Sequence, residues 1–293
     1  MAQEQTPLRR LAGDFASNRL AMFGLGLLAV IALIALLAPV ISSQNPYDLA
    51  QLDVMDGRLP PGSRSPAGAI FWLGTDDQGR DMLSAILYGL RISLLVGVVS
   101  TVVALAIGLV LGLTAAYFGR ATEAVIMRIA DIQLSFPAIL IALILLAVLG
   151  QGILKIIAAL VTVQWAYYAR TVRSAALVEK RKEYIEAARC LALPTRRIVF
   201  RHLLPNCLPP LIVVATVQVA AAIALEATLS FLGLGLPITE PSLGLLIANG
   251  YQYLLSGKYW ISFFPGVALL AVIVSLNLVG DQLRDVLNPR LAG

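Results

Sequence analysis

Residues 183–206 read EYIEAARCLALPTRRIVFRHLLPN, a charged island in a chain that is otherwise apolar. Arg189, Arg196, Arg197 and Arg201 crowd into it, directly after Lys180, Arg181 and Lys182. The 293-residue chain is 59% hydrophobic and only 13% charged, too little charge to solvate a soluble domain of that length. It reads as a membrane protein whose fold must place the island outside the lipid.

A bilayer core of roughly 30 Å needs about 20 mostly apolar residues per helix. Six runs supply them, near 20–41, 91–117, 122–149, 153–174, 208–233 and 260–280. The expected fold class is therefore all-α and polytopic, with six transmembrane helices. The third run is the least uniform, because Arg128 and Asp131 sit in its first turns and Pro137 is placed to kink it. The first run follows Arg9, Arg10 and Arg19 in the manner of a secretory signal. It exceeds the roughly 7–15 residues of a signal core, and no small-x-small cleavage site follows, so it reads as a retained helix.

Lysine and arginine then orient the chain. A cytoplasmic N-terminus puts Arg9, Arg10, Arg19, Arg120, Arg128, the run from Arg170 to Arg201, Arg284 and Arg290 on one side. The other side keeps Arg58, Arg64, Arg80, Arg91, Lys155 and Lys258, the first three among Asp48, Asp53, Asp56, Asp76, Asp77 and Asp81. Both termini are expected in the cytoplasm. The net charge of +5 is then a topology signal, not a sign of nucleic-acid binding. Cys190 and Cys207 fall on the reducing side without metal-ligand company, so neither a disulfide nor a metal site is expected.

The chain divides into a cytoplasmic segment at 1–19, a first transmembrane helix at 20–41 and an extracytoplasmic loop at 42–90. A transmembrane core at 91–285 carries the island at 176–206, and a cytoplasmic tail occupies 286–293. The outer loop opens on NPYDLAQLDVMDGRLPPGSRSPAG (45–68), rich in turn formers and expected to be irregular. It closes on WLGTDDQGRDMLSAILYGLRIS (72–93), where Thr75 or Asp76 is placed to cap a helix. Met82, Leu83, Ile86, Leu87 and Leu90 share one face of that helix, which is expected at the outer membrane interface.

In the island, Tyr184, Ala187, Ala188 and Leu191 fall at i, i+3, i+4 and i+7, a flat face of small residues. Glu183, Glu186 and Arg189 point elsewhere. Pro194 is expected to end this helix and Thr195 to cap a second turn through Ile198 to Leu203. Pro205, Pro209 and Pro210 mark the return into the membrane. Helices below about 12–15 residues are marginal alone in water, so something must hold these.

EAARCLALPTRRIVFRHLLPN resembles the EAA loop of permease subunits in ATP-binding-cassette importers. Glu186, Ala187, Ala188, Leu204 and Pro205 match that pattern, Ala192 stands where a Gly is expected, and His202 stands where the general pattern has Ile. WLGTDDQGRDMLS, MRIADIQLSFP, EATLSFLGLG and GDQLRDVLNPR are similar to stretches of the permeases of dipeptide, oligopeptide and nickel importers, in particular the second of their two unlike permeases. The resemblance implies a bacterial inner-membrane subunit that forms half of a pathway for short peptides or peptide-like solutes. It implies that Tyr184, Glu186, Ala187, Ala188, Leu191 and Ala192 form amphipathic coupling helices between the fourth and fifth spans, docked on a cytoplasmic ATPase. The partners implied are a second permease, two ATPase subunits holding ATP and Mg, and an extracytoplasmic solute-binding protein. Ala192 is expected to keep a negative φ, because Ala in a left-handed conformation costs roughly 1 kcal/mol more than Gly.

The residues themselves exclude other classes. No G-x-x-x-x-G-K-[ST] loop exists, and the sole Gly-Lys pair, Gly257-Lys258, lacks its flanking residues, so ATP is expected on a partner and the chain is not expected to be an enzyme. The only histidine, His202, lies in the basic loop, and no H-E-x-x-H supports a hydrolase. A secondary transporter has no need of a docking island, and the sequence shows no repeated half.

Within the spans, Glu226 stands out, since an acid in VAAAIALEATLSFLGLG is expensive in lipid. It is expected to face the translocation pathway or a protein contact, with a helix end or Arg91 as partner. Gly108 and Gly112 make a G-x-x-x-G contact, and Arg128 is placed to pair with Asp131 one turn on.

Overall fold

The computed structural model describes residues 7–65, 68 and 70–287. The first six residues and the tail beyond Leu287, with Arg290, lie outside the described residues. Helix α1 (Pro7–Ser17) gives way at Asn18, whose side chain accepts from the amides of Leu20 and Ala21 and so caps α2 (Arg19–Ile41). After the outer loop come α3 (Met82–Phe118), α4 (Arg120–Leu134), α5 (Ala138–Leu149) and α6 (Ile153–Glu179). The island forms α7 (Glu183–Cys190) and α8 (Thr195–Arg197), and α8 runs through a π-helical turn at Ile198–Leu203 into α9 (Leu204–Phe231). Short α10 (Leu243–Tyr251) precedes α11 (Trp260–Leu287).

Among the described residues, Arg19–Ile41, Met82–Phe118, Thr195–Phe231 and Trp260–Leu287 are long and apolar enough to cross a membrane, and α4 with α5 makes a fifth if the pair is one bent span. The expected sixth, α6, has the length at 27 residues, but Lys155, Gln164, Arg170 and Arg173 dilute its apolar character.

Four expectations change. The third run is not one kinked helix: α4 and α5 meet at 90°. Pro137 lacks an amide hydrogen and crowds the preceding turn, and Ser135 closes α4 by donating its amide and hydroxyl to the Asp131 carbonyl. Asp131 pairs with Arg170 at 3.3 Å, while Arg128 stays exposed. The outer interfacial helix is also absent, because residues 82–90 are the first turns of α3. That helix has 37 residues and is capped by Asp81 rather than Thr75 or Asp76. Met82, Ile86 and Leu90 face Ile31, Leu246 and Trp260 in a protein core, not the membrane surface.

Thr75 and Asp76 belong instead to a fastening of the outer loop. The Thr75 hydroxyl donates to the Asp56 carbonyl, and the Thr75 carbonyl accepts from Trp260 Nε1 at 3.2 Å. Arg80, fully buried, donates to the Ile238 carbonyl at 2.6 Å beside Asp76. Burial pushes the Asp76 carboxyl up to about 6 against the pull of Arg80. The loop is thereby tied to the α9–α10 connection and to the start of α11. Within it, β1 (Ser63–Arg64) and β2 (Ile70–Phe71) pair antiparallel.

Helix α3 passes through all three large cores. It joins α2, α10 and α11 through Met82 and Ile86, α5, α6 and α9 through Ile92 and Val96, and the island side through Ala104, Leu113 and Ala116. Its approach to α6 depends on two glycines. A Cβ on Gly108 would lie 2.4 Å from Tyr168 Cβ, and one on Gly112 would lie 2.6 Å from the Ala169 carbonyl. Gly108→Ala or Gly112→Ala should therefore lower stability by about 1–3 kcal/mol through overpacking, read as a fall in thermal midpoint of the detergent-purified chain. Gly26→Ala, with nothing within 4 Å of the new carbon, should leave the midpoint unchanged or raised.

Candidate functional site

Helix α7 has eight residues and no side-chain cap. Glu183 and Glu186 in its first turn and Arg189 in its last suit the helix dipole. Ile185 and Ala188, three apart, turn inward against Ile198, with Tyr117 and Leu193 packed on the same cluster. The face drawn from the sequence is thus divided: Tyr184, Ala187 and Leu191 are exposed, as is Glu186 beside them, whereas Ala188 is buried inside the island at 4% exposure. An eight-residue helix needs an anchor within its own chain, and Ala188 supplies part of it.

The end of α7 corrects a second expectation. Ala192 has φ of 51°, in the left-handed region. Its amide bonds the Arg189 carbonyl at 2.9 Å, and the Leu193 amide bonds the Ala188 carbonyl at 3.2 Å, the paired closure of a Schellman turn. Leu193 packs beside Ala188, the apolar contact that accompanies such turns. The helix therefore ends at Cys190, with Leu191 as its C-cap, before Pro194. Ala192 occupies the slot that Gly fills at no steric cost, and the closure holds it there.

Beyond Pro194, Thr195 opens a helix that does not stop at Leu203. It continues into α9 through the π-helical turn, with Pro205, Pro209 and Pro210 inside the continuous helix. Tyr117, at the end of α3, donates its hydroxyl to Thr195 Oγ1 at 3.1 Å. Lys180 Nζ donates to the Ala116 and Tyr117 carbonyls, both at 2.8 Å, and so closes the C-terminus of α3.

Two residues that the sequence reading passed over hold α7 from the membrane side. Glu179, the last residue of α6, accepts from Lys182 Nζ and from the Tyr184 hydroxyl, both at 2.6 Å. Asn206, in the first turn of α9, donates to the Tyr184 oxygen at 3.1 Å and to the His202 carbonyl at 2.7 Å. Partial desolvation, with the acceptance and charge of Glu179, pushes the Tyr184 phenol up to about 12. Glu179 was legible as the one acid in the basic run from Arg170 to Lys182.

A cavity of about 1300 Å³ lies directly above this junction, between α4, α6, α9 and α11. Arg170, Ser174 and Glu179 line it from α6, Asn206 and Pro210 from α9, and Arg284 from α11. Glu226 is not on its wall. It is fully buried near the opposite end of α9, accepting from Ser230 at 2.7 Å and Ser93 at 3.1 Å, with the Ser242 side chain, the N-cap of α10, as a third partner. Of the two readings left open for Glu226, the pathway or a protein contact, the geometry shows a contact that links α3, α9 and the start of α10. Arg91, the alternative partner, is exposed. Among the described residues no cluster of His, Cys, Asp and Glu is suited to a metal.

Residues 108–293 match the model of a family described as binding-protein-dependent transport system inner membrane component, and residues 6–61 match the N-terminal TM domain of oligopeptide transport permease C. The chain is 38% identical over 287 residues to the di/tripeptide transport system permease protein DppC of Pseudomonas aeruginosa, covering 98% of this chain and 93% of that one. It is 37% identical over 277 residues to the oligopeptide transport system permease protein OppC of Bacillus subtilis, covering 94% and 88%. Among solved structures it is similar to a chain of the MetNI methionine ABC transporter in an inward-facing conformation. The TM-score is 0.57 at 24% identity, over 71% of this chain and 98% of that one, which shows a shared fold.

The left-handed Ala192 generates a direct test. Ala192→Gly should stabilise the island turn by roughly 1 kcal/mol, while Ala192→Val, β-branched at positive φ, should destabilise it by more. Amide exchange across residues 183–198 measures both, and equal protection in the two variants would contradict the left-handed assignment.

Proposed function

The chain belongs to the family of binding-protein-dependent transport system inner membrane components, and on that premise we propose that it is one of two unlike permeases of an ATP-driven importer of short peptides. The observation that carries the reading is α7: a short helix anchored by Ile185 and Ala188, exposing Tyr184, Glu186, Ala187 and Leu191, beneath a cavity between the long helices. It has the form of a contact through which a cytoplasmic ATPase moves a membrane pathway. The peptide substrate is supported by near full-length similarity to di/tripeptide and oligopeptide permeases.

In this reading the protein crosses the inner membrane six times, through α2, α3, the bent α4–α5 pair, α6, α9 and α11. Both termini and α7 are cytoplasmic, in keeping with the lysine and arginine bias. The cavity walls of α6 and α9 form this subunit's half of the pathway. Two ATPase subunits bind ATP and Mg, since this chain has no nucleotide loop. A second permease completes the pathway, and an extracytoplasmic binding protein delivers the peptide. Glu186, at the exposed edge of α7, is the anchor for a basic ATPase side chain.

Two outcomes follow. An impermeant maleimide should label a Val54→Cys variant in intact cells while native Cys190, exposed on α7, reacts only after lysis. The opposite order would invert the topology. Glu186→Lys and Ala187→Trp should insert normally but lose ATP-dependent peptide uptake several-fold, as a reversed charge and an overpacked contact weaken docking. Normal uptake in both would remove the coupling role from α7.

A further inference from the structure

The Tyr184 hydroxyl stands between α7 and the cavity wall. It donates to Glu179 Oε2 at 2.6 Å and accepts from Asn206 Nδ2 at 3.1 Å. Both partners line the cavity, one at the end of α6 and the other at the start of α9. Among the described residues, no other α7 side chain hydrogen-bonds to either helix. The remaining anchors, Ile185 and Ala188, make apolar contacts, which resist separation but not sliding or rotation. A hydrogen bond to a carboxylate is directional and short. The carboxylate itself is fixed, because its second oxygen is taken by Lys182 Nζ at 2.6 Å.

The far side of the relay is held as well. Asn206 Nδ2 also donates to the His202 carbonyl, inside the π-helical turn that joins the island to α9. Turning α7 about its axis therefore pulls on the cavity-lining ends of α6 and α9 together. Sliding α7 without them requires the Tyr184 bonds to break.

We propose that Tyr184 is a positioning residue of the transport cycle, whose hydroxyl locks α7 to the Glu179 and Asn206 walls so that displacement of α7 from the cytoplasm reaches the cavity. This rests on the reading of α7 as the ATPase contact and assigns the transmission to three named side chains. Ala187 and Leu191 meet the partner, and Tyr184 passes the motion inward.

The test uses the complete transporter in proteoliposomes, with uptake of radiolabelled trialanine and ATP hydrolysis measured on the same vesicles. Tyr184→Phe keeps the ring and removes only the hydroxyl. It should retain its ATPases and at least half of the ATP turnover, yet import at least threefold fewer peptides per ATP. Glu179→Leu, which removes the acceptor of the phenol, should fall with Tyr184→Phe. A merely structural role would lower both rates in proportion to the complex assembled, leaving peptides per ATP unchanged, and that result would overturn the proposal. If the unaltered transporter hydrolyses ATP without importing trialanine, the peptide-importer reading fails first and takes this inference with it.

Discussion

The backbones of α3 and α6 lie closer than two side chains permit, and the rest of the chain is arranged around that contact. In lipid no hydrophobic force drives two helices together, so association depends on packing, and packing is best where nothing projects. Gly108 and Gly112 leave α3 bare where Trp165, Tyr168, Ala169 and Val172 of α6 pass. Once α6 is pressed along α3, Lys180 at its end reaches the Ala116 and Tyr117 carbonyls, and Glu179 points at the island. The position of the island is thus inherited from a glycine pair within the long apolar helices.

The island solves a different problem. A helix of eight residues does not hold itself in water, yet a contact that moves a membrane domain must be rigid. Ile185 and Ala188 give it an apolar anchor, the Schellman closure fixes its end, and Tyr184 fixes its rotation. On the proposed reading, the exposed residues are left to meet a partner. Glu226 performs a comparable service at the opposite end of α9, where three serine hydroxyls surround a carboxylate shut away from solvent.

Long apolar runs were legible because hydropathy and length report directly on the bilayer: 20–41 and 260–280 lie within a residue or a few turns of α2 and α11. What escaped the sequence is what tertiary contact decides. Pro137 signals a disturbance of a helix but not its angle, which is 90° here. Periodicity put Met82, Ile86 and Leu90 on one face, and the choice between lipid surface and protein core was made by α2, α10 and α11. Ala192 and Ala188 were misplaced for one reason. Propensity disfavours Ala at positive φ, but the two bonds of the closure and the packing of Leu193 on Ala188 outweigh about 1 kcal/mol of strain. Glu179 stood out only as the one acid in a basic run and Asn206 carries no motif, and their joint contact with Tyr184 became visible only when α6, α7 and α9 met.

The central claim is that the outward face of α7 is the surface on which a cytoplasmic ATPase acts. Photo-crosslinking within the assembled transporter tests it most directly, with a benzophenone amino acid placed at Leu191 of the island or at Met55 of the outer loop. Both positions are open, at 74% and 87% exposure, so reactivity alone does not separate them. The account expects an adduct with the ATPase from Leu191 and none from Met55. An assembled, ATP-hydrolysing transporter that gives no ATPase adduct at Leu191 would contradict it.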